Sequence, residues 1–288
     1  MLFACSPKTS PPEEQPTKEK TKENIVVTED GRLTFKIVNT RESSQQQLDT
    51  IKKEIVKSYN IVTNSIKTDY VPAEKVNVHL LKGNGISTGY REDIKLYATD
   101  IDNYPILHEM SHTILGYGNN YDGSKGFFTQ EGFATYLEDK HDKSKTLNLG
   151  LSNNKIMKYL ISKNKNIPLY KLIDLGYDDT FFRPVINDQS DYLLRSMSYL
   201  HAGSFIAYLI DAYGLNKFEQ IYNKADLNKK FQDVYGKPAE KLEAEWIAYI
   251  IENAGKLTEE DKEKTTNFDQ LNSLLESIDS DLFERKQR

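Results

Sequence analysis

The stretch PILHEMSHTILG, residues 105–116, decides how the middle of this chain folds. Proline at its start, glycine at its end and apolar residues between them predict a helix. On a helix, residues four apart lie about 40° apart on the same face, one turn along the axis. The imidazoles of His108 and His112 can therefore hold one metal ion together, and Glu109 can reach a water molecule bound to that ion.

A third ligand is expected on the next helix, which the apolar pattern places at about residues 129–140. Glu131 lies there, with eighteen residues between it and His112, and it opens the segment EGFATYLE. A third histidine is excluded because Leu115 and Gly118 stand where that version of the motif needs glycine and histidine. Two imidazoles and one carboxylate suit Zn²⁺ and leave its fourth position open to water.

The run from His108 to Glu138 resembles the catalytic core of the leucyl/alanyl aminopeptidase-type gluzincins, a family of zinc metallopeptidases. The resemblance implies that His108, His112 and Glu131 bind zinc. It implies that Glu109 is the general base of peptide-bond hydrolysis. It also implies an α+β fold: a zincin-like catalytic domain, built from a small mixed β-sheet and the two motif helices, followed by a mostly helical C-terminal lobe.

A second similarity lies in YLHAGSF, residues 199–205, ahead of an apolar helix. In this family a tyrosine at such a place donates a hydrogen bond to the oxyanion formed during hydrolysis, so the resemblance assigns that catalytic role to Tyr199. His201 is the competing donor, and a packed tyrosine with a satisfied hydroxyl is the alternative. Glu138 and Asp139 are both candidates to orient the ligand imidazoles.

Residues 83–90, GNGISTGY, depart from the family's pattern. Aminopeptidases of this family carry a GxMEN segment before the metal motif, and its carboxylate holds the free amine of the substrate. This chain has no carboxylate in that segment, so an endopeptidase is favoured over an aminopeptidase. We expect an extended peptide to pair with an edge strand at Ile94–Ala98 and to be recognised through its backbone.

Signals outside the motif fit the same fold class. An Asp-Gly turn between two β-branched stretches predicts a hairpin over residues 25–38, and Ser43 or Ser44 can cap a long helix after it. Alternation predicts further strands over 75–81 and 94–98. We therefore divide the chain into an N-terminal tether, a zincin β/α subdomain, a helical subdomain and a charged tail that can form a terminal helix: residues 1–23, 24–145, 146–255 and 256–288.

The N-terminus resembles the end of a bacterial lipoprotein signal. Leu2-Phe3-Ala4-Cys5 has the residue types found at the lipidation site, although only four residues precede Cys5, and an ordinary polar terminus is the alternative. The following residues are rich in Pro, Lys, Glu and Thr, which suits a disordered tether. We expect a protein that is lipid-anchored outside the cytoplasm, or secreted.

Charge and composition limit the partners of the chain. Its net charge is −5, and its lysines are interleaved with Glu and Asp, so no basic surface for nucleic acid is expected. No stretch approaches the roughly 20 apolar residues of a membrane span, which leaves a lipid on Cys5 as the only expected membrane contact. The expected partner is a peptide or protein substrate, and the expected assembly state is a monomer.

Two other functions stay open at this point. A pseudo-peptidase could use the same fold to bind a partner at the cell surface without cleaving it. A structural zinc site would need a fourth protein ligand, and the only thiolate in the chain is that of Cys5. His79 and His141 are interpreted as a structural residue and a solvent-facing residue, respectively.

Overall fold

The computed structural model describes residues 24–97, 103–116, 123–142, 150–186 and 188–285. The interpretations of Cys5 and the N-terminal tether therefore lie outside the described residues, as do Ala98 and most of the loop after the first motif helix. Within the described ranges, no helix combines the length and the apolar character needed to cross a bilayer.

A five-stranded mixed sheet forms the first part of the molecule. Its strands are β1 (Ile25–Val27), β2 (Thr34–Asn39), β3 (Lys75–Leu81), β4 (Thr88–Gly89) and β5 (Asp93–Tyr97), in the order β1-β2-β3-β5-β4. The central strands β2, β3 and β5 are parallel, whereas β1 and β4 pair antiparallel with their neighbours. The predicted hairpin and the two predicted strands are confirmed, and so is the α+β class with a small mixed sheet.

One face of the sheet is apolar and buried, because alternate side chains along each strand point to the same side. The buried residues of the three central strands are Phe35, Ile37, Val76, Val78, Leu80, Ile94 and Leu96. Helices α1 (Gln45–Thr63) and α2 (Ile106–Leu115) pack against each other, and α2 also contacts β4 and β5. A capping box formed by Ser44 and Gln47 begins α1 and decides between the two predicted caps.

The expectation that Ile94–Ala98 is an edge strand is wrong for its first two residues. Strand β4 covers β5, with Gly89 opposite Ile94 and Thr88 opposite Lys95. The hydroxyl of Ser87 secures this pairing, since it accepts a hydrogen bond from the N–H of Tyr97 at 3.0 Å. Among the strands of the described residues, the edge of the sheet on the side of α2 therefore belongs to β4.

The rest of the chain is helical and is arranged around one long central helix. The helices are α3 (Phe128–His141), α4 (Asn153–Ser162), α5 (Leu169–Ile173), α6 (Asp178–Phe181), α7 (Gln189–Tyr213), α8 (Leu215–Glu219), α9 (Leu227–Tyr235), α10 (Ala239–Asn253) and α11 (Glu259–Ile278). Helix α7 contacts α3, α4, α8, α10 and α11. Trp246 of α10 is fully buried and donates to the hydroxyl of Ser204 at 3.1 Å.

Helices α3 and α7 approach closely because small residues meet where they cross. A Cβ atom on Gly132 would lie 2.9 Å from the carbonyl carbon of Ala202, and one on Gly203 would lie 2.8 Å from the methyl group of Thr135. Only glycine allows two helix backbones to pack at this separation. This crossing joins the second motif helix, α3, to the helical part of the chain. The boundary at residue 145 between the zincin β/α subdomain and the helical subdomain stays a prediction.

The charged C-terminal segment forms the predicted terminal helix. Helix α11 begins with a capping box at Thr258 and Asp261. Asp261 also binds Lys155 of α4 at 2.7 Å, and Leu275 is buried. The helix therefore packs on the helical part of the molecule.

Candidate metal centre

The first motif helix, α2, is buried along its whole length. All ten of its residues are buried, and it ends at Gly116, which adopts the left-handed conformation with φ 99°. His108 and His112 lie one turn apart, and their ring centroids are separated by 4.8 Å. A helix enclosed in this way carries polar side chains only where they meet partners of their own.

The second motif helix, α3, brings Glu131 to both imidazoles. Glu131 Oε2 lies 3.0 Å from His108 Nε2 and 3.3 Å from His112 Nε2. Tetrahedral zinc with bonds of about 2.0–2.1 Å separates its ligand atoms by about 3.3 Å. The residues His108, His112 and Glu131 are 7%, 3% and 1% exposed, and their ligand atoms lie within 4.8 Å of one another. Both the geometry and the types of donor atom fit a zinc ion.

Glu138 orients the first imidazole. Its Oε2 lies 3.0 Å from His108 Nδ1, so the N–H at Nδ1 can donate to the carboxylate and leave the lone pair of Nε2 for a metal. Asp139 instead accepts a hydrogen bond from the backbone N–H of Asn153 at 3.2 Å. Of the two candidates that the sequence left open, Glu138 contacts the ligand.

The ionisable groups of the site shift one another's pKa values. Burial would raise the pKa of Glu131, but His112 and His108 hold it at about 2. Burial would lower the pKa of His108, whereas Glu138 and Glu131 raise it well above its usual range. Burial raises the pKa of Glu109 to about 7, against the opposing effect of His108. A carboxyl group with a pKa near neutrality can both accept and return a proton.

Tyr199 of α7 lies beside the first imidazole. Its ring is nearly parallel to that of His108, with the centroids 5.8 Å apart, and Phe182 lies against the ring of Tyr199 with 6.1 Å between centroids. Burial raises the pKa of the Tyr199 hydroxyl, and the charge of Glu131 adds to that effect. The structure thus brings Tyr199 to the site, while its catalytic role stays a prediction.

Arg183 is a site residue that the sequence analysis missed. Its Nη2 contacts Glu131 Oε1, and its Nη1 donates to the hydroxyl of Tyr199 at 2.7 Å. The guanidinium lies 4.4 Å from the ring centroid of Phe127. The available signal was weak: Arg183 is the one charged residue in the run FFRPVI, and this run belongs to no recognised motif.

Asp178 is a second residue missed by the sequence analysis. It is buried, and its carboxylate accepts a hydrogen bond from the backbone N–H of Phe127, the residue before α3. Burial raises its pKa to about 7. The N-terminal residue of α3 itself supplies no side-chain cap, so Asp178 supplies an acceptor where the helix begins, one turn before Glu131.

His201 does not take part in the site. Its Nε2 accepts a hydrogen bond from the N–H of Ile167 at 2.9 Å, and its Nδ1 lies 2.7 Å from the carbonyl oxygen of Met197. The side chain is fully buried, which lowers its pKa to about 4. Because both ring nitrogens are engaged in the core, His201 is excluded as the competing oxyanion donor.

The site meets solvent on the side of Arg183 and Glu138. Their side chains are 22% and 17% exposed, whereas that of Glu131 is 1% exposed. A cavity of about 450 Å³ lies elsewhere, at the C-terminal end of α2, where Gly116, Gln130 and Tyr222 line it. None of the three candidate ligands lines that cavity, so it is not the place of the chemistry expected here.

Comparison with protein-family models, with curated proteins and with solved structures gave no match for this chain. The assignment of the site therefore depends on the residues and their geometry.

Proposed function

We propose that this protein is a zinc-dependent peptidase of the gluzincin type on a zincin-like fold. One observation carries the proposal: Glu131 Oε2 lies 3.0 Å from His108 Nε2 and 3.3 Å from His112 Nε2, in a buried setting. The resemblance of the sequence to the leucyl/alanyl aminopeptidase-type gluzincins supports the same assignment. His108, His112 and Glu131 would hold Zn²⁺, and the remaining coordination position would take water.

Each polar group beside the ligands has a role in hydrolysis. When bound, zinc would supply Lewis acidity, which would make a water molecule easier to deprotonate and would polarise a carbonyl group. Glu109 accepts the proton of the attacking water and passes it to the leaving amine. The hydroxyl of Tyr199 donates a hydrogen bond to the oxyanion. Glu138 holds His108 in the tautomer that a metal needs.

The peptide would lie along β4. Of the strands that the structure describes, β4 is the edge beside α2, and it comes so close that a Cβ atom on Gly89 would overlap the carbonyl oxygen of Glu109. Main-chain pairing with such an edge holds an extended peptide with little regard for its sequence. The loop before β4 lacks the carboxylate that binds a free amino terminus in aminopeptidases, which favours an endopeptidase.

The proposed setting is the outside of a bacterial cell. The resemblance of Leu2–Cys5 to a lipidation site supports an anchored or secreted protein, and it is tested by the mass of the N-terminal peptide after expression in a bacterium.

Metal analysis and cleavage of a peptide library by the purified protein test the function. We expect one zinc ion per chain, internal cleavage of peptides, and loss of cleavage when a chelator is added. A protein that retains zinc and cleaves no peptide in the library would instead be a binding protein on this fold. A protein that retains no divalent metal contradicts the proposal.

A further inference from the structure

We propose that Arg183 is a positioning residue of this site, whose single guanidinium fixes the metal ligand Glu131 and the oxyanion donor Tyr199 relative to each other. The inference rests on the proposed function and adds to it a residue that the motifs do not contain. Arg183 lies 52 residues after Glu131, in the loop that follows α6.

The first step concerns how Glu131 presents itself to a metal. Its Oε2 faces both imidazoles, and its Oε1 is engaged by Arg183 Nη2. Hydrogen bonds between a guanidinium and a carboxylate are strong and directional, so this contact fixes the rotation of the carboxylate. Glu131 can then offer one oxygen to the ion, which keeps a coordination position open for water.

The second step concerns the proton of Tyr199. Arginine has only donors, so the contact at 2.7 Å makes the hydroxyl oxygen of Tyr199 the acceptor. The proton of that hydroxyl must then point to a different acceptor. Because the same guanidinium contacts Glu131, the hydroxyl of Tyr199 is held near the candidate ligands, where it could donate to an oxyanion.

The third step concerns how Arg183 is itself held. The carbonyl oxygen of Phe182 accepts from its Nη1 at 2.7 Å, and the ring of Phe127 lies under its guanidinium at 4.4 Å. Phe127 immediately precedes α3, and Tyr199 belongs to α7. The guanidinium therefore connects the beginning of one helix to the side chain of another. A lysine could carry the charge, but its single ammonium group could not reproduce the planar guanidinium that donates from two separate nitrogens.

The competing explanation is that Arg183 only neutralises a buried carboxylate. In that case the loss of Arg183 would destabilise the fold, and it would leave the action of Tyr199 unchanged. A positioning role predicts instead that zinc affinity depends on Arg183, and that the effects of Arg183 and Tyr199 on turnover depend on each other.

Zinc affinity, measured by competition with a chromophoric chelator, is the readout that requires no substrate. We expect Arg183→Ala to weaken zinc binding about tenfold, as the loss of groups that orient metal ligands commonly does. Arg183→Lys should recover part of the affinity, and Tyr199→Phe should keep that of the wild type. Unchanged affinity in Arg183→Ala, in a protein that binds zinc, overturns the inference and leaves the proposed function intact.

A double-mutant cycle on kcat tests the connection to Tyr199. If Arg183 acts through Tyr199, the variant that combines Arg183→Ala with Tyr199→Phe should turn over no more slowly than the slower single variant. Losses that multiply in the double variant overturn the positioning role. Thermal unfolding of every variant identifies any change that comes from the fold alone.

Arg195→Ala is the matched control. The guanidinium of Arg195 lies 5.9 Å from the ring centroid of Tyr199 and 5.1 Å from that of Tyr192, and it has no contact with Glu131 among the described ion pairs. We expect zinc affinity and kcat close to those of the wild type. A loss equal to that of Arg183→Ala would show that any nearby positive charge suffices, and it would contradict the role assigned to the guanidinium of Arg183. A wild-type protein that holds no zinc contradicts the proposed function itself.

Discussion

Glu109 and Glu131 lie on different buried helices, and the pKa values of their carboxyl groups shift in opposite net directions. The pKa of Glu109 is about 7 because burial dominates, whereas that of Glu131 is about 2 because two imidazoles oppose burial. One group thus stays able to exchange a proton near neutral pH while the other keeps its charge. This difference matches the separate roles of proton acceptor and metal ligand.

Glu109→Gln tests the proton acceptor. The amide has nearly the same shape as the carboxylate and cannot take a proton, so we expect zinc content to stay at the wild-type level and kcat to fall at least about 100-fold. Parallel metal analysis and peptide cleavage check this expectation. Full turnover in the variant rules out Glu109 as the base.

His201 gives the fold a dependence on pH that is separate from catalysis. Its folded-state pKa is about 4, whereas the usual value is 6.5, so the unfolded chain binds the extra proton between these values. The contribution of His201 to the free energy of unfolding is therefore fully present above pH 6.5. It is lost as the pH falls towards 4, and the loss for this one group amounts to about 3 kcal/mol. Urea unfolding of the wild type and of His201→Gln measures the effect.

The matched control for His201 is His79→Gln. His79 lies on the outer face of the sheet and contacts Asp93 at 2.9 Å. We expect the wild-type loss of stability between pH 6.5 and 4 to persist in this variant and to become smaller in His201→Gln. Equal pH dependence in wild type and His201→Gln would show that the buried imidazole is not its source.

At the scale of elements, the crossing of α3 and α7 fixes the geometry of the site. Glu131 lies next to Gly132, and Tyr199 lies one turn before the Ala202–Gly203 pair that meets α3. A change in the separation of these helices would move Glu131, the proposed ligand, relative to Tyr199, the proposed oxyanion donor. Gly132, Ala202 and Gly203 therefore help to set the geometry of the site, although they carry no polar atom in their side chains.

Gly132→Ala tests the crossing. The new Cβ atom would lie 2.5 Å from Ile206 Cδ1 and 2.9 Å from the carbonyl carbon of Ala202, so the helices must separate. We expect a loss of about 1–3 kcal/mol in the free energy of unfolding and weaker zinc binding. Adding Ile206→Val removes one of the three opposing atoms, since Ala202 Cβ also lies at 2.9 Å, and should restore only part of each loss. Wild-type stability in Gly132→Ala contradicts the close approach.

The sequence predicted those elements whose pattern is long enough to show a period. Helices α2 and α3 have ten and fourteen residues, long enough for the sequence to predict them as helices. The spacing within the metal motif then predicted His108 and His112, and the resemblance to the gluzincins predicted Glu131. Strand β4 has only two residues, which cannot show an alternation, and the edge of the sheet was therefore misplaced. Arg183 and Asp178 reach the site from a distant segment, and no local pattern predicts such a contact.

At the scale of the whole molecule, two layers of different construction meet at the metal centre. The sheet side contributes α2 with its imidazoles, and the helical side contributes Tyr199 and Arg183, while α3 lies between them. A ligand set drawn from two helices is complete only in the folded chain. Metal binding and folding are thus expected to be coupled.

Added zinc should therefore raise the melting temperature of the metal-free protein. At a free zinc concentration 100 times Kd, the expected stabilisation is about 2.7 kcal/mol. Glu131→Ala should lose most of this gain, because one of the three ligands is missing. Differential scanning calorimetry with and without zinc checks both expectations. An equal gain in the wild type and in Glu131→Ala would place the bound zinc elsewhere on the protein.

The shortness of β4 limits how tightly an extended peptide can bind along it. Its two residues offer too few amide and carbonyl groups to form many hydrogen bonds with a long peptide. The preceding loop carries Ile86, an apolar side chain that is 47% exposed. Cleavage products should thus dissociate quickly. Discrimination among peptide substrates should come from the few substrate side chains next to the cleaved bond. If the proposed peptidase function holds, so short an edge strand would suit loosely structured peptides that bind only briefly.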